Sequence, residues 1–369
     1  MSNSSGWIAG QTFHLQGVRV SLSRPVLVER SKGFLWFPSI ARLSNGDLIA
    51  KMYLTPDTHM YSFMGLVSWS GDGGLTWGQS TGVTFFGPTS FNLSNGDHVI
   101  LPFELHPLSD GSIGAPHNII RAGRREVVYV ADKAKATGLP GPIAFKAPKL
   151  GVSCLSFDGQ VIELHGGGFL TTLMGRIEGE DRLFNAAVES PDGVRWHVRS
   201  VIADSACEIP GKDGPSETAL CRAKDGRLMC IFRLASNMPY GQAWSDDEGR
   251  SWSAPVAMES AFSVEPRVGV MKNGTILLVG GRPGLYMWIN TDGSGSEWER
   301  IDMTAFHNAC VPREPILEPG QTTAYTGIVA LDDRNLLYIY DRIPNSWNAI
   351  AEGSSDTNSV WVVRVTLNT

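Results

Sequence analysis

The chain has 369 residues, 42% of them hydrophobic and 18% charged, enough apolar side chain for a large core and too little charge for a disordered chain. Its 31 Lys and Arg against 37 Asp and Glu leave a net charge of -6. That argues against a nucleic-acid partner, because such proteins carry a basic face.

The first residues, MSNSSGWIAGQTFHLQGVRV, lack a basic stretch followed by an apolar one, so no secretory signal is read. No apolar run approaches the ~20 residues of a membrane helix, and the best, TILLVGG, is far too short. The five cysteines (Cys154, Cys207, Cys221, Cys230, Cys310) are odd in number and widely spaced, without a Cys-x-x-Cys pair or a Cys/His ligand pattern. The expectation is buried, reduced thiols in a cytoplasmic protein, with no membrane, metal or cofactor. A secreted protein trimmed of its signal would read the same.

In chain order, an N-terminal strand, VRVSLSRPVLV (residues 18–28), is followed by repeats starting near residues 33, 86, 148, 215, 263 and 322. Each repeat opens with an apolar strand, a turn, and a second strand. The copies are FPSIARLSNGDLIAKM, TSFNLSNGDHVILPF, a degraded VSCLSFDGQVIELHGGGFLTTL, ETALCRAKDGRLMCIFR, EPRVGVMKNGTILLVGGR and YTGIVALDDRNLLYIYDR. Asn-Gly and Asp-Gly between apolar runs are strong hairpin signals. No long helical period competes with them.

A second signature, Ser/Thr-x-Asp-x-Gly-x-x-Trp, follows the third strand of several repeats. It reads SGDGGLTW at 70–77 and SDDEGRSW at 245–252, with degenerate copies SPDGVRW at 190–196 and TDGSGSEW at 291–298. The Asp carboxylate accepts N–H groups of its own turn, the Ser hydroxyl adds a local bond, and Gly takes a conformation other residues resist. The Trp then folds back as an apolar plug between sheets. These features predict an all-β, six-bladed propeller of four-stranded blades in one domain spanning residues 1–369, the N-terminal strand pairing with SVWVVRVTL to close the ring.

The repeats and their Asp-box turns resemble the sialidase (neuraminidase) superfamily over roughly residues 25–369. The turns are fairly specific for that fold, and not for sialidase activity, since Asp boxes occur in other propellers.

The repeat register itself points to a site. Eight residues before the Asp/Asn of the first turn stand Glu217, Glu265 and Tyr325 in the last three repeats. Seven or eight residues beyond the Gly position stand Arg233, Arg282 and Arg342. Polar residues recurring at one mouth of an apolar channel suit a polar, anionic ligand; the alternative is a ring of structural ion pairs between blades.

The resemblance assigns roles. It makes Tyr325 the nucleophile, Glu217 the base that takes its proton, with Glu265 as the alternative, and Asp57 the acid/base. Arg233 and Arg282 are implied as carboxylate-binding arginines. A phenol needs an adjacent base near neutral pH, and its neutrality avoids repelling a substrate carboxylate. Arginine's fork fits both carboxylate oxygens. The family's first-blade Arg-Ile-Pro is here Trp36-Phe37-Pro38. One arginine is therefore missing; Trp36 offers a face for a sugar, and Arg342 is the candidate replacement charge. His59 and His117 are read as loop residues near the mouth, His307 as a residue of a late loop, and Arg121, Arg124 and Arg125 as solvated at a hairpin edge.

Three functions follow: an exo-acting hydrolase of a carboxylated sugar, sialic-acid-like or uronic; a lyase on uronate glycans, using Tyr325 or a His as base; and a non-catalytic glycan-binding propeller. The expected partner in each is a glycan or sugar acid.

Overall fold

The computed structural model describes residues 6–57, 64–84, 86–145 and 155–368. Cys154 and His59 lie outside them. Among the described residues the chain is all-β apart from one short helix, Met303–Cys310. Its residues group into two compact units, one of Met1–Pro56, Leu66–Gly82 and Arg267–Thr369, the other of Asp57–Gly65 and Val83–Pro266.

The hairpins form as the sequence predicts, through a three-residue turn closed by glycine. Gly46 donates its N–H to Leu43 O at 2.9 Å, Leu43 donates to Asp47 O at 2.8 Å, and Gly46 has φ 91°. The same bonds recur around Gly96, Gly226 and Gly274, with φ 87°, 93° and 97°. Only glycine takes this left-handed backbone without strain, which is why the Asn/Asp-Gly pair marks each turn.

In the first unit, Trp36–Arg42, Leu48–Tyr53, Gly65–Ser70 and Gly78–Val83 pair in that order; Gly65 and Val83 themselves fall in the other unit. A second sheet runs Val264–Val270, Ile276–Gly281, Leu285–Asn290, Glu299–Asp302, and belongs to this unit from Arg267 onward. A third joins the two ends of the chain: Val18–Ser23 and Val26–Ser31 both pair antiparallel with Asn358–Asn368, which pairs on with Asn335–Arg342. This is the N- to C-terminal pairing expected from the sequence.

In the second unit, Thr218–Arg222, Leu228–Phe232, Pro239–Ser245 and Val256–Phe262 form a four-stranded sheet. The other sheet has ten strands. It contains the series Ser90–Asn92, His98–Ile100, Ile113–Ile120, Val127–Thr137 and the series Leu155–Phe157, Phe169–Gly175, Phe184–Ser190, Arg195–Ala203. Their last strands join the two series in parallel, from Lys135 opposite Arg195 to Thr137 opposite His197.

The Trp turns pack as plugs. Asp72 accepts Thr76 N–H at 3.0 Å and Ser70 Oγ–H at 2.8 Å, while Trp77 donates to Gly74 O at 3.0 Å. Trp77 then packs on a core that joins Leu48, Ala50 and Met52 to Leu337, Ile339, Val360 and Val362. In the other unit Trp196 and Trp252 serve two further cores.

Some expectations are corrected. The helix Met303–Cys310 was not foreseen; Asp302 caps it by accepting Ala305 N–H at 2.9 Å. His307 sits buried in this helix, and His117 buried in the strand Ile113–Ile120, so neither is a loop residue. Of the described cysteines, all free, Cys221 and Cys230 are buried and Cys207 and Cys310 only half-buried. Arg121, Arg124 and Arg125 are exposed in a turn, as expected.

Candidate active site

The register read from the repeats is present in the fold. Glu217 stands just before the strand Thr218–Arg222, Glu265 at the second residue of Val264–Val270, and Tyr325 two residues before Gly327–Ala330. Arg233 and Arg282 directly follow the strands Leu228–Phe232 and Ile276–Gly281, and Arg342 ends Asn335–Arg342. Each unit holds one cluster of these residues.

In the second unit Glu217 is 7% exposed and organises its surroundings. Its Oε1 accepts Arg233 Nη1–H at 2.7 Å, and its Oε2 accepts the backbone N–H of Glu265 at 2.9 Å. Arg233 donates its other terminal nitrogen to Asp213 at 3.2 Å and to Ser236 Oγ at 3.3 Å. Both terminal nitrogens thus lie on protein carboxylates, which makes Arg233 a partner of Glu217 in this geometry. Glu265 is buried with φ 42°, a conformation that costs a non-glycine residue about 1–3 kcal/mol.

In the first unit Tyr325, half-buried, lies edge-on to Phe37 with ring centroids 4.7 Å apart. The Arg282 guanidinium carbon lies 5.6 Å from the Tyr325 ring and 5.0 Å from that of Trp347. Arg282 Nη2 donates to Thr323 O at 2.7 Å. Beneath them Asp341, fully buried, accepts Thr322 Oγ1–H at 2.8 Å, Thr323 N–H at 2.9 Å, Thr323 Oγ1–H at 2.5 Å and Phe37 N–H at 3.2 Å. Burial pushes the Asp341 carboxyl above its usual range, opposed by those hydrogen bonds. One carboxylate thereby fixes the segment that leads into Tyr325 and the backbone of Phe37. Lys51, also fully buried, is pushed well below the usual lysine range by burial and then by the Arg267 charge.

Backbone strain gathers on this cluster. Among the described residues, non-glycine positive φ occurs at eight positions, and four of them are Phe37 (49°), Arg282 (99°), Ala324 (61°, beside Tyr325) and Ser346 (54°, beside Trp347). Such strain persists only where surroundings impose it, and it concentrates at functional sites.

Two expectations change. Trp36 is 1% exposed, donates its indole N–H to Thr55 O at 3.0 Å and packs against Phe34, Phe37 and Trp347. It is core, without a face for a sugar. A register shift between Trp36 and Ser39 turns the chain here, and Phe37 is the aromatic presented to Tyr325. Arg342 is 2% exposed, and both its terminal nitrogens go to Asp356, at 2.8 and 2.9 Å. It is a structural ion pair in place of a ligand contact. Asp57 is exposed in the turn after Pro56. His307, a candidate base, has its Nδ1 2.7 Å from the Tyr340 hydroxyl. Trp347, Phe37 and Asp341 carry no repeat signal and were not anticipated.

No protein-family model matches the chain, and neither does any curated protein sequence. Solved structures match it in fold. A Dyadobacter fermentans protein of unknown function has TM-score 0.67 at 16% identity, covering 95% of this chain and 99% of that one. The alpha-L-arabinofuranosidase of Fusarium graminearum, in complex with arabinobiose, has TM-score 0.59 at 15% identity, covering 96% and 98%. A sialidase of Streptococcus pneumoniae has TM-score 0.55 at 11% identity, covering 93% and 70%. The chain has the sialidase-like β-propeller fold that the sialidases and the arabinofuranosidase share.

Proposed function

We propose that the chain is an exo-acting glycoside hydrolase of a carboxylated sugar, with Tyr325 as nucleophile. The observation that carries this reading is the setting of Tyr325, with Phe37 edge-on to its ring and the Arg282 guanidinium 5.6 Å from it. Attack by the phenol on an anomeric carbon requires that its proton leave and that its oxygen be steadied. Arg282 supplies positive charge beside it. In this reading Glu217 takes the proton, Asp57 protonates the leaving oxygen, and Arg282 holds the substrate carboxylate. The sheets are read as six four-stranded blades, the ten-stranded sheet counting as two.

A second reading, hydrolysis of a neutral sugar, is favoured by one feature. Arg233 and Arg342 are both held by protein carboxylates, which disfavours their gripping a substrate carboxylate. A fold relative that is an arabinofuranosidase fits that reading.

The test is turnover of 4-methylumbelliferyl α-sialoside, β-glucuronide and α-L-arabinofuranoside by wild type and Tyr325→Phe. Release from either acidic glycoside, lost in Tyr325→Phe, supports the first reading. Release from the arabinofuranoside alone supports the second. Near-ultraviolet absorbance growing on a uronate glycan means a lyase. Binding without turnover of any means a lectin-like propeller.

A further inference from the structure

We propose that Trp347 is a stacking platform for a second sugar ring, adjoining the sugar held at Tyr325; this rests on the hydrolase reading above. Trp347 lies in the connection between the strands Asn335–Arg342 and Asn358–Asn368 and is 39% exposed. It packs on Trp36 and Phe37 and still leaves part of its large aromatic surface open to solvent.

The connection is built to aim the ring. Ser346 is held at φ 54°, its N–H donating to Ile343 O at 2.9 Å and its hydroxyl to Gly320 O at 3.2 Å. Gln321 Nε2–H bonds Pro344 O at 3.1 Å, and Arg342 clamps the far end through Asp356. The indole then lies 5.8 Å from Phe37 and 5.6 Å from Trp36, with the Arg282 guanidinium carbon 5.0 Å from its ring. Tyr325 meets the same Phe37 and the same Arg282. The two aromatics therefore flank one cation, as adjoining subsites would.

The chemistry selects the occupant. An indole face carries negative electrostatic potential and attracts the polarised C–H groups of a sugar's apolar face. The Arg282 guanidinium carbon, 5.0 Å from the ring, sets a polar, charged group beside it, which suits the hydroxyl rim of a sugar. An apolar peptide side chain would cover that charge at a cost.

The experiment uses full-length protein labelled with 5-fluorotryptophan. The Trp347 fluorine resonance is assigned by its loss in Trp347→Phe. Sialyllactose, arabinobiose and digalacturonate are titrated separately. A saturable shift of that resonance with at least one of them is the expected result; a resonance that none of the three moves overturns the platform. On any sugar that wild type turns over, Trp347→Ala should raise KM about tenfold with kcat nearly unchanged, and Trp347→Phe should restore most of the loss. An unchanged KM in Trp347→Ala also overturns it. Absence of turnover by wild type defeats the hydrolase reading alone, and the fluorine shift still decides the platform.

Discussion

The carboxylate of Glu217 accepts the backbone N–H of Glu265 at 2.9 Å while taking Arg233 on its other oxygen at 2.7 Å. Two further buried carboxylates share this habit. Asp158 accepts Thr218 N–H at 3.0 Å, and Asp341 accepts Phe37 N–H at 3.2 Å. An acid that the repeat register marks for chemistry is thus also part of the scaffold.

Glu217→Gln should therefore lower stability as well as activity. An amide accepts at one end only, so either Arg233 or the Glu265 N–H faces an NH2 group. Breaking a buried pair costs about 3–5 kcal/mol, and Asp213, which keeps hold of Arg233, places the loss near the lower end. Denaturant unfolding measures it, and a loss under about 1 kcal/mol would show the network to be dispensable.

Arg342→Ala should cost about 3 kcal/mol, because Asp356 is left beside a buried gap. Arg342→Met combined with Asp356→Leu should recover most of that. If Arg342 served a ligand instead, the single variant would keep its unfolding midpoint and lose only affinity. Paired denaturation curves and KM values separate the two.

His307 should make the protein less stable as acidity rises. Burial, and then the Arg342 charge, push its imidazole down to about 4 from an ordinary value near 6.5. In the window between those values the unfolded chain binds a proton that the folded chain does not, so stability falls as pH drops through it. Above about 6.5 neither state is protonated there and the effect vanishes. The full penalty, reached near pH 4, is roughly 3 kcal/mol. His307→Asn should flatten the melting temperature between pH 6.5 and 4 relative to wild type. A parallel slope in the variant would place the titration elsewhere.

Asp247→Ala should destabilise by about 1–2 kcal/mol and leave catalysis alone. Its carboxylate accepts Arg250 N–H and Ser251 N–H, each at 2.9 Å, and Ser251 Oγ–H at 2.6 Å. Those bonds, led by the Ser251 hydroxyl, hold it below the usual carboxylate range. Melting temperature and kcat/KM on the same preparation test this; a fall in kcat/KM with an unchanged melting temperature would overturn the structural role.

What was legible in the sequence is what local chemistry dictates. Gly46, Gly96, Gly226 and Gly274 mark turns because the backbone there tolerates little else. Asp72 and Asp247 mark the Trp turns because each bonds residues within four positions of itself. The register of Glu217, Glu265 and Tyr325 followed by counting from those turns. The rest depends on partners far apart in the chain. Nothing in FLWF says that Trp36 goes inward and Phe37 meets Tyr325; the shift in pairing before Ser39 decides it. Arg342 was read from register alone, while its partner Asp356 sits in an irregular connection without periodicity. Asp341 gathers Thr322, Thr323 and Phe37, the last some 300 residues away. The helix had one readable cue, Asp302 ahead of Met-Thr-Ala, which a strand-dominated pattern obscured.

The pairing of Val18–Ser23 and Val26–Ser31 with Asn358–Asn368 has a consequence for biosynthesis. These strands leave the ribosome more than 300 residues ahead of their partner. At roughly 5–20 residues per second the wait is on the order of tens of seconds, with two apolar edges exposed throughout. A nascent chain of this kind offers those edges to chaperones until Asn358–Asn368 emerges. Placing residues 18–31 directly after residue 368 would let that sheet assemble from strands made seconds apart.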